Sequence, residues 1–275
     1  MLKDFLATAW SRLGPVAPGL AAPILCYHSI NDADEPQWDP LPSALFESHL
    51  KHLRANYNVV PLEMLTASLL EGAPLPPKPV VITFDDGYRD NYEVAFPLLK
   101  RYETPATIYV VTDFLNGEIS LIPDPIWDAM TWEQAREMAD SGLVEFGAHT
   151  CTHRFLTDLD DRAVRDEILL SRDQIEWRLG RPVKSFAYPN GQGADIPASA
   201  LATVREAGFT NACSTFWRSR NTPAQRYLLN RVMIARGDTV EVLENKLRGD
   251  YDYLYVWHKA RAFYSANILG RGIWR

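Results

Sequence analysis

Two carboxylates stand side by side in Thr83-Phe84-Asp85-Asp86-Gly87, directly after the apolar run Val80-Val81-Ile82, so they emerge where a buried strand ends. Adjacent anions repel each other unless something positive gives them separate tasks, and a metal ion that takes one and leaves the other free does so. Partners for such an ion occur downstream in His149-Thr150-Cys151-Thr152-His153, after a second apolar run at 143–147. Histidines at i and i+4 share one face of a helix, so the spacing predicts a helical turn with both imidazoles on a single ion. One carboxylate and two imidazoles leave open positions on a borderline-soft divalent ion, the pattern of a catalytic rather than a closed structural site. Cys151, at i+2 from His149, would point about 200° around such a turn and reads as a buried thiol.

The elements that carry these residues follow from the apolar pattern. Strands are predicted at 23–27, 58–60, 79–84, 106–111, 143–146, 184–187, 210–213 and 231–234, with amphipathic helices between them. Phe46, Leu50 and Leu53 form one helical stripe, and Val164, Ile168, Ile175 and Leu179 form another. Thr131 with Gln134 reads as a capping box opening a helix from Trp132 to about Ser141, which Gly142 ends. This alternation predicts an α/β fold with a largely parallel sheet, and about seven to eight strands suit a barrel. Asp85, Asp86, His149, His153, His28 and the stretch Tyr188-Pro189-Asn190-Gly191 all fall at or just past the C-terminal end of a predicted strand. In parallel α/β barrels that rim carries the active site. The expected organisation is a helical N-terminal extension at 1–21, the barrel at 22–240, and a helical basic-aromatic extension at 241–275.

At 275 residues and 47% hydrophobic, with 8 Trp, the chain can bury one sizeable core. A formal charge of -7 argues against a nucleic-acid partner. Cys26, Cys151 and Cys213 contain no C-x-x-C pair, so neither a disulfide framework nor a thiolate zinc knuckle is expected. The stretch 5–10 is short for a signal core, and no segment reaches the roughly 18 apolar residues of a membrane span, so the expected location is the cytoplasm. Between 253 and 275 lie Lys259, Arg261, Arg271 and Arg275 with Trp257, Phe263, Tyr264 and Trp274. This segment fits peripheral contact with an anionic surface, such as a membrane carrying a lipid-linked sugar, or a terminal helix packed on the barrel.

Three motifs, Thr83-Phe84-Asp85-Asp86-Gly87, His149-Thr150-Cys151-Thr152-His153 and Phe186-Ala187-Tyr188-Pro189-Asn190-Gly191, together resemble those of polysaccharide deacetylases, carbohydrate esterase family 4 with its NodB-type domain. The resemblance covers roughly 23–234 and implies a distorted (β/α) barrel that removes N-acetyl groups from amino sugars with a divalent metal, zinc foremost. Asp86, His149 and His153 then resemble the metal ligands and Asp85 the general base. A backbone N–H at Asn190, after Tyr188 and Pro189, would serve the oxyanion. Arg231 in Leu229-Asn230-Arg231-Val232 resembles an arginine that pairs with the base, although a purely structural ion pair fits it equally. The acid for the leaving amine has two candidates: His28, in Tyr27-His28, where an exopolysaccharide-deacetylase subgroup carries a rim Tyr-His, and His258 in the C-terminal tail.

Each motif alone has a plain reading. Asp-Asp-Gly is an ordinary turn, His-x-x-x-His an ordinary solvated face, and His49 a packing or surface residue. Trp38, Trp127 and Trp217 lie near rim loops, where aromatic faces stack on sugars, but core packing is the default for each. Taken together the motifs predict a hydrolase of linear amides acting on an N-acetylated amino sugar in a cell-surface glycan or its cytoplasmic, lipid-linked precursor. Two alternatives stand beside it: hydrolysis of another small amide or formamide on the same barrel, and a non-catalytic glycan-binding protein on a deacetylase scaffold. The oligomeric state is left open.

Overall fold

The computed structural model describes residues 10, 19–33, 40–193 and 195–256. In chain order its strands are β1 (Leu20–Ala21), β2 (Ile24–Tyr27), β3 (Asn58–Val59), β4 (Pro79–Phe84), β5 (Ala106–Val110), β6 (Val144–Ala148), β7 (Ser185–Ala187), β8 (Asn211–Trp217), β9 (Arg220–Asn221) and β10 (Leu229–Met233). The order β2-β10-β8-β7-β6-β5-β4 returns to its start because β4 also pairs with β2, which closes a barrel of seven parallel strands with β3 added outside β4. The α/β barrel expected from the apolar runs is the fold observed. One local difference concerns residues 20 and 21: the sequence places them in a helical extension, whereas they pair antiparallel with β9.

The helices are α1 (Ser43–Asn56), α2 (Leu62–Glu71), α3 (Phe96–Arg101), α4 (Thr112–Leu115), α5 (Trp132–Asp140), α6 (Asp161–Leu179), α7 (Ala198–Glu206) and α8 (Val240–Arg248). Their buried residues include Phe46, Leu50 and Leu53 on α1 and Val164, Ile168, Ile175 and Leu179 on α6, the two stripes legible in sequence. The Thr131–Gln134 capping box is present at the start of α5. The helix α8 packs on α1, tied by a bond of 2.8 Å between His52 Nε2 and Glu244 Oε2, so residues 240–248 continue the barrel's outer layer. Trp257, His258 and the basic residues after them lie outside the described residues, as does Trp38.

Strand alternation sorts the core into two sets, since successive side chains face opposite sides. Leu25, Tyr27, Val80, Ile82, Phe84, Ile108 and Val110 pack among the helices in one buried cluster. Ile24, Val81, Tyr109, Ala187, Cys213 and Leu229 form the other, together with Leu62, Leu65 and Leu69 of α2. That helix closes the barrel at its strand-start end, where Asn211 at the beginning of β8 donates to Thr66 of α2 at 3.1 Å. The opposite end is left for chemistry. Parity continues beyond β4: Asp85 shares the side of Val81 and Thr83, toward the interior.

Close packing around β6 bears directly on the histidine loop that follows it. A Cβ on Gly147 would stand 2.5 Å from two ring carbons of Tyr109 and 2.8 Å from Ser185 Oγ. Gly147→Ala is therefore expected to cost about 1–3 kcal/mol through overpacking. The measurement is urea unfolding, where the midpoint should fall with an unchanged slope.

Candidate active site

At the end of β4 the chain sends its two carboxylates apart. Asp85 N–H donates to Tyr27 O at 3.0 Å, which continues the β2–β4 ladder and lays the residue after Tyr27, His28, beside Asp85. Asp86 then adopts φ 76°, a left-handed conformation that breaks the strand. Gly87 follows at φ 85°, where a Cβ would meet Val110 Cγ1 at 2.9 Å. Only glycine fits there, and the turn aims Asp86 at the rim.

Inside the barrel Asp85 meets Arg231 from β10. Arg231 Nη1 donates to Asp85 Oδ1 and Nη2 to Oδ2, each at 2.6 Å, a bidentate charge-assisted pair. The guanidinium also donates from Nε to Ser214 O at 2.9 Å and from Nη1 to Thr83 Oγ1 at 3.3 Å. Arg231 has 0% of its surface exposed and Asp85 2%. Burial pushes the Asp85 carboxyl up, but the adjacent Arg231 charge and its hydrogen bonds outweigh burial and hold it well below the usual carboxylate range. Cys26 donates its thiol to Asp85 Oδ2 at 3.5 Å, and burial raises that thiol well above its ordinary range, so it acts as a neutral donor. Cys26, His28 and Asp85 offer ligand-type atoms within 4.8 Å of one another.

On the rim, Asp86, His149 and His153 form a second such group. Asp86 Oδ1 lies 3.6 Å from His149 Nε2 and 3.4 Å from His153 Nε2. Donors that share a tetrahedral zinc at bonds of about 2.0–2.2 Å stand about 3.3–3.6 Å apart. Asp86 Oδ1 is buried and has no hydrogen-bond partner, which a cation at that point would remedy. The donor set therefore fits a divalent ion. His149 Nδ1 donates to Ala187 O at 2.7 Å, which assigns the proton to Nδ1 and frees Nε2 for a ligand. Tyr88 donates its hydroxyl to the Asp86 carboxylate.

The histidine segment is not the helical turn that the spacing predicts. It is a loop after β6, with Thr150 at φ 66° and His153 at φ 57°. Two left-handed residues turn the imidazoles together, with ring centroids 4.9 Å apart. Cys151 is buried, as expected, but because its thiol faces Glu167 O at 3.7 Å rather than because of helical phase.

A cavity of about 310 Å³ opens over these groups, with His28, Ser29, Asp86 and His153 on its polar side and Tyr88, Leu121, Ile122 and Trp127 on its apolar side. Trp127, named in the sequence as a rim aromatic, is buried in this wall, edge-on to Tyr88. Trp217 instead packs near Tyr251 and Lys246. Another cavity of about 320 Å³, between α6 and the starts of β6 and β7, touches none of these groups. His49 is buried in the packing, between Tyr27 Oη at 3.2 Å and Asp238 O at 2.6 Å. Tyr188 is wholly buried with its hydroxyl on Tyr227 O, so its side chain shapes the turn and offers the cavity no surface. Pro189 is buried, whereas Asn190 is exposed at φ 58°.

A family model described as polysaccharide deacetylase matches residues 72–212, just over half of the sequence. The chain belongs to the polysaccharide deacetylase family. A Bacillus subtilis protein provisionally named a polysaccharide deacetylase, YxkH, is 29% identical over 236 residues, covering 86% of this chain and 78% of its own. The poly-beta-1,6-N-acetyl-D-glucosamine N-deacetylase of Escherichia coli O157:H7 is 33% identical over 157 residues, which are 54% of this chain but only 22% of that protein. Among solved structures, the Streptococcus pyogenes deacetylase PplD in complex with acetate superposes with a TM-score of 0.74 at 25% identity, over 84% of this chain and 99% of that one.

Several supports of this candidate site escape the motifs. Asp90 accepts from Asn31 Nδ2 at 3.0 Å, from Asn91 Nδ2 at 2.9 Å and from Ser29 Oγ, fastening the segment that carries His28. Tyr88 and Glu167 are others; each is an ordinary residue in sequence until the fold places it. His258 lies outside the described residues, whereas His28 faces the cavity.

Two outcomes follow from the burial of these charges. Arg231→Met would leave Asp85 charged and unpaired in the interior, with an expected loss of about 3–5 kcal/mol in denaturant unfolding. For His149, burial is the largest influence and lowers its pKa from 6.5 to about 4. The unfolded chain therefore binds the extra proton first, so stability rises with pH across this window. Metal-free protein should lose on the order of 3 kcal/mol as pH falls from 6.5 to about 4, by an effect that His149→Gln removes.

Proposed function

We propose that the protein is a metal-dependent N-deacetylase of β-linked N-acetylglucosamine glycans, met as polymer or as a lipid-linked precursor at the inner face of the membrane. The observation that carries the reading is the division between the two acids: Asp86 joins two imidazoles at metal-ligand spacing, while Asp85 stays off that group on Arg231. The relatives' names support the sugar, because the Escherichia coli protein acts on poly-β-1,6-N-acetyl-D-glucosamine.

Asp86, His149 and His153 would hold a divalent ion, with zinc matching the nitrogen-rich donor set, and when bound it supplies Lewis acidity toward water and the amide oxygen. Asp85 takes the proton from the attacking water. Arg231 keeps that base ionised and fixes its direction. A base held so far below its ordinary range accepts a proton only from an acidified donor, which explains why it adjoins the metal group. His28, on the cavity wall and next to Asp85, delivers the proton that the leaving amine nitrogen needs. The backbone N–H of Asn190, in the turn that starts beside the Ala187 carbonyl under His149, is the donor for the developing oxyanion. Leu121, Ile122 and Trp127 give the acetyl methyl and the sugar face an apolar wall.

The test is acetate release by zinc-loaded and chelator-treated protein from β-1,6-linked N-acetylglucosamine oligomers and from a lipid-linked N-acetylhexosamine, side by side. Zinc-dependent release from either supports the reading, and the preferred one fixes where the substrate is met. No release from either, with zinc bound, contradicts it. Asp85→Asn is expected to keep the ion and lose about 10²–10⁴-fold in turnover, and His28→Ala to lose turnover over the same range. Loss of zinc from Asp85→Asn would mean that the two aspartates have exchanged roles.

A further inference from the structure

We propose that Glu167 is a positioning residue for the metal-ligand loop: its carboxylate holds 149–153 in the shape that turns His149 and His153 toward Asp86. The inference rests on the metal-site reading above. Thr150 and His153 occupy left-handed backbone at φ 66° and 57°, which costs non-glycine residues on the order of 1 kcal/mol each. A loop with two such residues relaxes unless its peptide groups are held from outside.

Part of the hold is local: Thr150 Oγ1 accepts the His153 N–H at 3.1 Å. Part comes from the segment after β5, where the N–H groups of Thr112 and Asp113 donate to the carbonyls of Thr150 and Cys151 at 3.3 and 3.0 Å. The remaining contacts converge on α6. The successive N–H groups of Cys151 and Thr152 both donate to Glu167 Oε2, at 2.8 and 2.9 Å, and the Thr152 hydroxyl donates to Oε1. Two consecutive N–H groups aimed at one oxygen, next to a left-handed residue, form an anion nest, and a carboxylate is the acceptor that best satisfies it. Glu167 takes no part in the Asp86 group, so it acts only through the loop. Outer contacts of this kind typically account for 10–100-fold in metal affinity.

The experiment compares zinc affinity, by competition with a chromophoric chelator, in the wild type, Glu167→Ala, Glu167→Asp, Glu167→Gln and the same-helix control Asp166→Ala. Glu167→Ala should bind zinc about 10–100-fold more weakly. Glu167→Asp, too short to span all three donors, should fall between it and wild type, and decides the matter if the alanine variant does not fold. Glu167→Gln retains an amide oxygen for both N–H groups but lacks the charge and should fall only slightly below wild type, whereas Asp166→Ala should match it. In metal-free protein the Cys151 and Thr152 amide protons should exchange slowly in wild type and Glu167→Gln but quickly in Glu167→Ala, with shifted His149 and His153 imidazole signals. Unchanged zinc affinity in Glu167→Ala and Glu167→Asp, or unchanged amides and imidazoles, overturns the proposal. A wild type that takes no zinc, with amides and imidazoles that still respond to Glu167→Ala, sinks the metal reading and leaves the loop anchor standing.

Discussion

The buried pair of Asp85 with Arg231 is the constraint around which this site is arranged. Two charges removed from water are tolerated only when their geometry is good and their remaining donors are satisfied. Here both carboxylate oxygens take a guanidinium N–H, and a third N–H goes to Ser214 O, so β4, β8 and β10 are tied together across the barrel interior. Strand parity then decides the rest. Once Asp85 faces inward, Asp86 must leave by the rim, and its left-handed backbone followed by Gly87 is how the chain accomplishes this. The separation of the two acids is thus a consequence of one ion pair and one turn.

The rim group depends on the interior pair in a second way. Asp86 Oδ1 is buried without a hydrogen-bond donor, while both Asp85 oxygens are taken. A cation arriving at this mouth finds one carboxylate committed and one open. His149 is compatible with that preference: its Nδ1 proton is on Ala187 O, which leaves the nitrogen facing Asp86 with a lone pair. Burial keeps that ring neutral down to about pH 4, as a metal ligand must be.

How much of this was legible beforehand depends on the range of the signal. Apolar runs of four to six residues mark β2, β4 and β5, because strands of a closed parallel sheet are covered on both faces, whereas in β6 the exposed Glu145 interrupts the run. The ends of these strands define the rim, and Asp85, Asp86, His149 and His153, already singled out by type and spacing, fall on it. The two-residue strands β1 and β9 carry no periodicity, and residues 20 and 21 read as part of a helix until their partner across the chain is known. That α2 closes one end of the barrel is likewise decided by where Leu62, Leu65 and Leu69 land. In the site, an i, i+4 histidine pair implies a helix on local grounds alone. The loop wins because bonds from Thr112, Asp113 and Glu167 hold two left-handed residues that no local pattern announces. Arg231 stands 146 residues from Asp85, and without the family resemblance nothing in its own segment distinguishes it from a surface arginine.

On the proposed division of roles Asp86, not Asp85, takes the metal ion with His149 and His153. Anomalous diffraction at the zinc edge from zinc-loaded crystals tests it most directly. A single strong peak is expected about 2.0–2.2 Å from Asp86 Oδ1, His149 Nε2 and His153 Nε2, with both Asp85 oxygens still on Arg231. A peak bonded to Asp85, or an Asp85 carboxylate withdrawn from Arg231 to reach the ion, would contradict it.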